Sequence, residues 1–319
     1  AAWRPQETWK EWWAGDRQYC LEGSADAHGG YYTKEQMREL VEYARQRHIE
    51  VIPEIEMPSH SEEVLAAYPE LGCSGEAYKD SDFCVGNEAV FEFLEKVLTE
   101  VIDVFPSKYI HIGGDEAGKQ HWKTCPKCQE QIKRFGLKDE KELQSRFMLI
   151  LQEYLESKGR KAIAWDEILE GGLAPNATVM SWRGTKGGIA AARLGHDVIM
   201  APNTYCYFNY YQAKDQSKEP LARGGHTPVS KVYSYEPLPD EMTKEEKSHI
   251  LGVQACMWSE YIIDWGTLEY MLFPRLSALS EVQWCEPENK NYQTFIRKMR
   301  HMAKIYEALG CNYATHIIN

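Results

Sequence analysis

Long hydrophobic runs are missing from this 319-residue chain. No apolar stretch approaches the roughly 20 residues that cross a bilayer. The most hydrophobic one, 270–279, is broken by Pro274 and Arg275. Basic charge is also short: 36 Lys and Arg stand against 48 Asp and Glu, a formal net charge of -12. Nucleic-acid binding wants a basic face, so no such partner is expected. The nucleotide signatures are absent too: no GxGxxG follows the first strand pattern, and no GxxxxGK[ST] occurs anywhere. The opening AAWRPQETWKEWW has neither a basic n-region nor an apolar h-region, so any secretion signal is expected upstream of it. The nine cysteines are an odd number without small-scaffold spacing. One pair, Cys125-Pro126-Lys127-Cys128, could make half a zinc site, but no second CxxC or HxxxH follows. A local disulfide or two ordinary thiols is the reading for it, and no metal or cofactor is expected.

Against these absences stands a surplus of rings: 10 Trp, 19 Tyr and 9 Phe. Many must fill a core, yet flat rings with a polar edge also suit a pocket for pyranose rings. With 43% hydrophobic and 26% charged residues the rest is ordinary globular composition, which excludes disorder as the main state.

Periodicity alternates between helix and strand. Thr33-Lys34-Glu35-Gln36 is a capping-box sequence ahead of Met37, Leu40, Val41 and Ala44. Asn87 can cap a second helix bearing Phe91, Leu94, Val97, Leu98, Val101 and Ile102. Leu143, Phe147, Ile150, Leu151, Tyr154 and Leu155 mark a third, ending near Gly159. A short helix over 188–194 and two closing helices, about 268–282 and 292–309, follow. Strands are predicted at 49–55, 108–112, 161–165, 178–182, 197–201 and 251–258, with 211–238 as one long loop. Six strands separated mostly by helices imply α/β architecture with a parallel sheet, either an open doubly wound sheet or a (β/α)8 TIM-type barrel. Polar, aromatic and glycine residues gather just past the strand ends, as at a barrel's C-terminal face. The expectation is therefore one barrel domain over 1–319, with the first two strands absent from this sequence.

The sharpest feature is Gly113-Gly114-Asp115-Glu116. Ile110 and Ile112 should face the helices, whereas Tyr109, His111, Gly113 and Asp115 should point into the barrel mouth. Neighbouring carboxylates on one strand would diverge, so Asp115 and Glu116 can serve one site only if the chain turns there, as two glycines permit. Carboxyls so confined push their pKa values apart, leaving one as an acid and one ionised. The alternative is an acid pair at a helix start.

His111-Ile-Gly-Gly-Asp-Glu116 resembles the signature of the family 20 glycoside hydrolases, the β-N-acetylhexosaminidases. Five further segments match in order: Pro53-Glu-Ile-Glu-Met-Pro-Ser-His60, Ala164-Trp-Asp-Glu167, Ser181-Trp-Arg-Gly184, Tyr207-Phe-Asn209 and Gly252-Val-Gln-Ala-Cys-Met-Trp-Ser-Glu260. The resemblance implies an exo-acting, retaining, substrate-assisted hydrolysis of terminal β-linked GlcNAc or GalNAc, in which the 2-acetamido oxygen attacks C1 to give an oxazolinium intermediate. It implies Glu116 as general acid and base, and Asp115 as the group that holds the acetamido N–H. Trp165, Trp182 and Trp258 would wall the sugar pocket, and Tyr207 would donate to the acetamido oxygen. Asn209 and Glu260 would bind the outer hydroxyls, and His60 would sit behind the acid.

Three departures from the family stand out. Ser59 replaces a usual Gly, and Asn209 replaces a frequent Asp. Nothing matches the family's first two strands, which normally supply a sugar-clamping Arg and an Asp supporting the His; Ala2-Trp3-Arg4 resembles the segment just after them. Two other functions compete: a non-catalytic N-acetylhexosamine-binding barrel, and a metal-dependent hydrolase built on His60, His111 and Asp115. Such glycans are mostly met outside the cytoplasm, so an extracytoplasmic location (periplasmic, cell-surface or secreted) is expected. Oligomeric state is not legible.

Overall fold

The computed structural model describes residues 30–172 and 175–317, together with Gly23 and the backbone of Ala2–Trp3 and Tyr19–Cys20. Arg4, in the resemblance above, lies outside the described residues. The chain divides into two compact units, Ala1–Val179 and Met180–Asn319.

In the first unit, β1 (Ala2–Trp3) and β2 (Tyr19–Cys20) pair antiparallel in a sheet of their own. Helix α1 (Lys34–Arg45) starts on the expected capping box, the Thr33 hydroxyl accepting from the Gln36 amide and the Gln36 side chain from that of Thr33. Of its expected apolar face only Ala44 is buried; Leu40 is exposed. The segment 49–55 makes a single parallel bridge, Glu54 to His111, rather than a full strand. Ile55 donates to the His111 carbonyl and His111 to that of Pro53, both at 2.9 Å, but Pro53 has no N–H with which to continue the ladder. Helices α2 (Glu62–Ala67) and α3 (Glu88–Val104) precede β3 (Tyr109–His111), which pairs in parallel with β4 (Lys161–Trp165). Between them run α4 (Gln120–Thr124), α5 (Pro126–Phe135) and α6 (Glu140–Ser157). Ile110 and Ile112 are fully buried, and Ile112 shares a small cavity with Met148 and Gln152 of α6, so this strand face meets helix as its parity predicts. Cys125 and Cys128 form no local disulfide: both are free thiols, grouped with Cys73 and Cys84.

Strand β5 (Thr178–Ser181) runs across the boundary between the units. In the second unit, α7 (Lys186–Arg193), β6 (Val198–Met200), α8 (Asn203–Cys206), α9 (Val229–Tyr233), α10 (Lys244–Ser248) and β7 (Ile250–Val253) follow, β6 and β7 pairing in parallel. The 211–238 loop is more ordered than expected: Tyr211 bridges His226, and α9 lies inside it. The single helix expected over 268–282 is two, α11 (Trp265–Leu272) and α12 (Arg275–Trp284). Pro274 divides them, forcing Phe273 into an extended conformation. Helix α13 (Tyr292–Ala308) closes the fold.

Arg275 is wholly buried in this unit. Its guanidinium donates to the carbonyls of Met271 (3.0 Å), Tyr210 (2.8 Å), Thr227 (3.2 Å) and Phe208. Burial draws its pKa down to about 9, a shift opposed by the nearby Glu219.

Candidate active site

The turn after β3 has the form that two acids serving one site require. Gly113 and Gly114 take φ of 66° and 102°, and Glu116 itself sits at 50°, a left-handed value unusual for a side-chain-bearing residue. Each glycine is needed. A Cβ on Gly113 would fall 2.0 Å from the Glu56 carboxyl, and one on Gly114 would press on Met148 at 3.1 Å. The turn brings Asp115 and Glu116 to one imidazole: His60 Nε2 lies 3.5 Å from Asp115 Oδ2 and 3.3 Å from Glu116 Oε2. Helix α4 begins only at Gln120, so the pair is not a helix-start decoration.

The two carboxylates differ in exposure. Glu116's side chain is 56% open, whereas that of Asp115 is 14% open, and its Oδ1 is buried without a hydrogen-bond partner. The His60 pKa is raised to about 9, chiefly by its hydrogen bond to Asp115 and then by both carboxylate charges, against partial burial. At neutral pH it is therefore an imidazolium between two acids. Ser59, where the family usually has Gly, is buried and donates its hydroxyl to the Asp115 carbonyl, so this departure pins the turn.

Behind them sit Glu54 and Glu56, to which the sequence reading gave no role, and His111, which it placed in the barrel mouth. Glu56 accepts from the Gly114 amide at 3.1 Å; burial, then the Asp115 charge, raises its pKa to about 10, so it stays protonated. Glu54 is pushed up to about 7, mainly by removal of its carboxyl from water. It accepts from the Trp165 indole N–H at 2.9 Å. His111 lies 3.2 Å from Glu54 and accepts from the Gly113 amide at 3.1 Å. Burial holds its pKa near 3, so it is neutral and the Glu54 contact is no ion pair. Its Nε2 is buried without a partner. The groups whose pKa values are pushed up by confinement are thus Glu54 and Glu56. Trp165 is 1% exposed and tilts against His111, with ring centroids 4.8 Å apart, so it forms backing for these acids. Period-2 parity was the missed signal: Glu54 and Glu56 share a face of an otherwise apolar segment.

The metal-hydrolase trio is not assembled as expected. His60 and Asp115 group with Glu116, their ligating atoms within 4.8 Å, while His111 Nδ1 is taken by Gly113 and Glu54.

In the second unit the sequence-predicted residues follow strand ends: Trp182 past β5, Tyr207 and Asn209 past β6, and Trp258 and Glu260 past β7. Tyr207 bridges Cys256 in parallel, and Phe208 donates to the Cys256 carbonyl at 2.8 Å. Tyr207 stacks on Trp182 at 6.0 Å and 23°, and tilts against Tyr210 at 5.6 Å. Asn209 is buried with Oδ1 unpartnered, and Glu260 likewise has a buried, unpartnered Oε2. Trp258 is 36% exposed. Both orphaned oxygens are acceptors, and buried acceptors without donors are uncommon in native proteins.

Paired acids on a tight turn past a parallel strand, with rings and hydroxyl acceptors past others, are the equipment of a barrel-type glycoside hydrolase. The model of glycosyl hydrolase family 20, catalytic domain, matches residues 2–287. The chain belongs to that family. It is 45% identical over 301 residues to a beta-hexosaminidase of Porphyromonas gingivalis, covering 92% of this chain and 39% of that protein. It is 35% identical to a beta-hexosaminidase of Vibrio furnissii, covering 82% of this chain and 44% of that one. Among solved structures, a GH20 exo beta-N-acetylglucosaminidase from Vibrio harveyi in complex with N-acetylglucosamine superposes with a TM-score of 0.85 at 29% identity, covering 98% of this chain and 50% of that one. The fold is accordingly α/β, of the TIM-barrel class. The chain spans about two fifths of the length of the two curated relatives named here.

Proposed function

We propose that this chain is the catalytic part of an exo-acting β-N-acetylhexosaminidase that releases terminal β-linked GlcNAc or GalNAc with retention of configuration, through an oxazolinium intermediate. The observation that carries the reading is the Asp115 carboxylate. One oxygen faces His60, and the other is buried with no N–H donor; the protonated Glu56 carboxyl also bonds to this carboxylate, and the more exposed Glu116 stands beside it. An acetamido N–H is the donor such an oxygen lacks. Holding it aims the amide oxygen at C1 and places negative charge where the intermediate becomes positive. The longer Glu116 reaches the leaving oxygen, protonates it, and later takes a proton from water. Protonated Glu56 lets Asp115 keep its charge without a second buried anion at its side. In the second unit, Asn209 and Glu260 accept from sugar hydroxyls and Trp258 lies against the pyranose face.

Substrate assistance makes the 2-acetamido group part of the catalyst. The test is turnover of 4-nitrophenyl β-GlcNAc against the matching β-glucoside, with a thiazoline mimic of the oxazoline as inhibitor. Cleavage of the first alone, blocked by the thiazoline, is expected. Comparable turnover of the glucoside would make a protein carboxylate the nucleophile. Binding of GlcNAc without turnover of either would favour the non-catalytic barrel. Such glycans place the enzyme outside the cytoplasm, which fractionation of the source cells would test.

A further inference from the structure

Away from the acids, the first unit holds a second cluster of reactive side chains. The sulfurs of Cys73, Cys84, Cys125 and Cys128 all lie within 4.8 Å of one another. Cys84 is 3.6 Å from Cys125 and 3.8 Å from Cys128, and Cys73 is 3.9 Å from Cys128. A tetrahedral zinc with Zn–S bonds of about 2.3 Å spaces its sulfurs by about 3.8 Å. A disulfide needs about 2.05 Å between two sulfurs and gives no reason for four to converge. Four thiols this close leave room for one ion, not for an iron–sulfur cage with its own sulfides.

The surrounding chain has the features of a thiolate site. Cys125 stands at the N-cap position of α5, without a side-chain capping bond, and Cys128 lies in its first turn, where the helix dipole favours negative sulfur. The Gly86 amide donates to the Cys84 sulfur. That approach requires a glycine, since a Cβ there would lie 2.4 Å from the Cys128 nitrogen. Cys84, Cys125 and Cys128 are buried and Cys73 half-buried, so the site is closed, as structural zinc sites are.

We propose that these four cysteines bind one structural Zn2+. The ion would staple the 73–84 segment to the start of α5, and that segment braces the acid turn. Phe83 donates to the Pro58 carbonyl at 2.7 Å and Ser61 to that of Ser81 at 3.0 Å, holding the loop that carries His60. Lys119 donates to Asp82 at 3.2 Å, holding the strand end beyond Glu116.

The test is metal analysis of the full chain purified from zinc-supplemented medium without chelator. About one zinc per chain is expected. It should be lost in Cys84→Ser and in Cys125→Ser and retained in His60→Ala. Because a cysteine variant can fail to fold, the wild-type chain is also stripped and refilled with Co2+. A tetrahedral thiolate site then gives intense sulfur-to-cobalt charge-transfer absorption, which the His60–Asp115–Glu116 group cannot. Stripping should lower the thermal midpoint, and zinc should restore it. The proposal is overturned by a chain that holds neither zinc nor cobalt, by zinc lost in His60→Ala but kept in the cysteine variants, by iron in place of zinc, or by disulfides among these four cysteines in never-reduced protein.

Discussion

Around the turn after β3, the first unit sets Asp115 and Glu116 beside His60, with Glu54, Glu56 and His111 behind them; the pKa values of Glu54, Glu56, His60 and His111 spread from about 3 to about 10. Past β5, β6 and β7, the second unit offers Trp182, Tyr207 and Trp258 with two orphaned acceptors. On the proposed function, the first region would move protons and charge, and the second would shape a surface and bind hydroxyls. Changes in the first should therefore fall on kcat and on pH dependence, and changes in the second on KM.

The largest effects test the acid pair. Glu116→Gln should cut hydrolysis of a GlcNAc disaccharide by about 10²–10⁴ while sparing the first step with an activated aryl glycoside, since a nitrophenolate leaves without a proton. Asp115→Asn should cost both substrates alike, about 10²–10³ in rate, because aiming the acetamido group is needed whatever leaves. Rate profiles over leaving groups of graded acidity separate the two. A steep profile in Asp115→Asn with a flat loss in Glu116→Gln would reverse the roles.

Next come the hydroxyl acceptors of the second unit. Glu260→Gln removes a charged acceptor, a contact of about 1.5–3 kcal/mol, and should raise KM by roughly ten- to a hundredfold with kcat little changed. A fall in kcat at constant KM would erase the division between the two regions.

A third prediction uses pH against stability. Glu56 keeps its proton in the folded chain up to about pH 10, whereas unfolded it ionises near its ordinary value of 4.5. Between those values the folded state binds the extra proton, so stability falls as pH rises, by at most about 1.4 kcal/mol per pH unit for one proton. His60 acts in the same sense: its contribution is full below 6.5 and lost as pH rises through about 9, though exposure makes it small. Thermal midpoints should decline from pH 6 to 9, and Glu56→Gln should flatten the decline. An unchanged slope in the variant would mean that Glu56 is already ionised. The smallest effect is expected from Ser59→Gly, which deletes one hydroxyl bond to the Asp115 carbonyl: about 0.5–1.5 kcal/mol, read as a less than roughly tenfold fall in kcat/KM.

Strand β4, the starts of α1 and α3 and the apolar face of α6 were legible because local signals, caps and periodicity, agree there with tertiary packing. The acid turn was legible because glycines at β3's end have one strong use. Errors fell where one residue overrides a pattern: Pro53 reduced a strand to a bridge, and Pro274 split a helix. Glu54 and Glu56 escaped because their partners come from another strand. The four-thiol cluster escaped because Cys73 and Cys84 lie far from the CxxC in sequence and only the fold brings them to it.

Arg275 has a consequence for how this protein can change. One guanidinium grips Phe208 and Tyr210 at the start of an excursion and Thr227 at its end. The stretch between is thus closed like a purse by a single string. Doubling the length of a closed loop adds only about 0.6 kcal/mol of entropy, so extra residues beside the exposed Lys214, away from the Arg223 amide that bonds to the Asn209 carbonyl, should be absorbed without disturbing Asn209. Lysine, with three donors in place of five, cannot draw the same string. The tip is therefore free to diversify among descendants, and the knot is not.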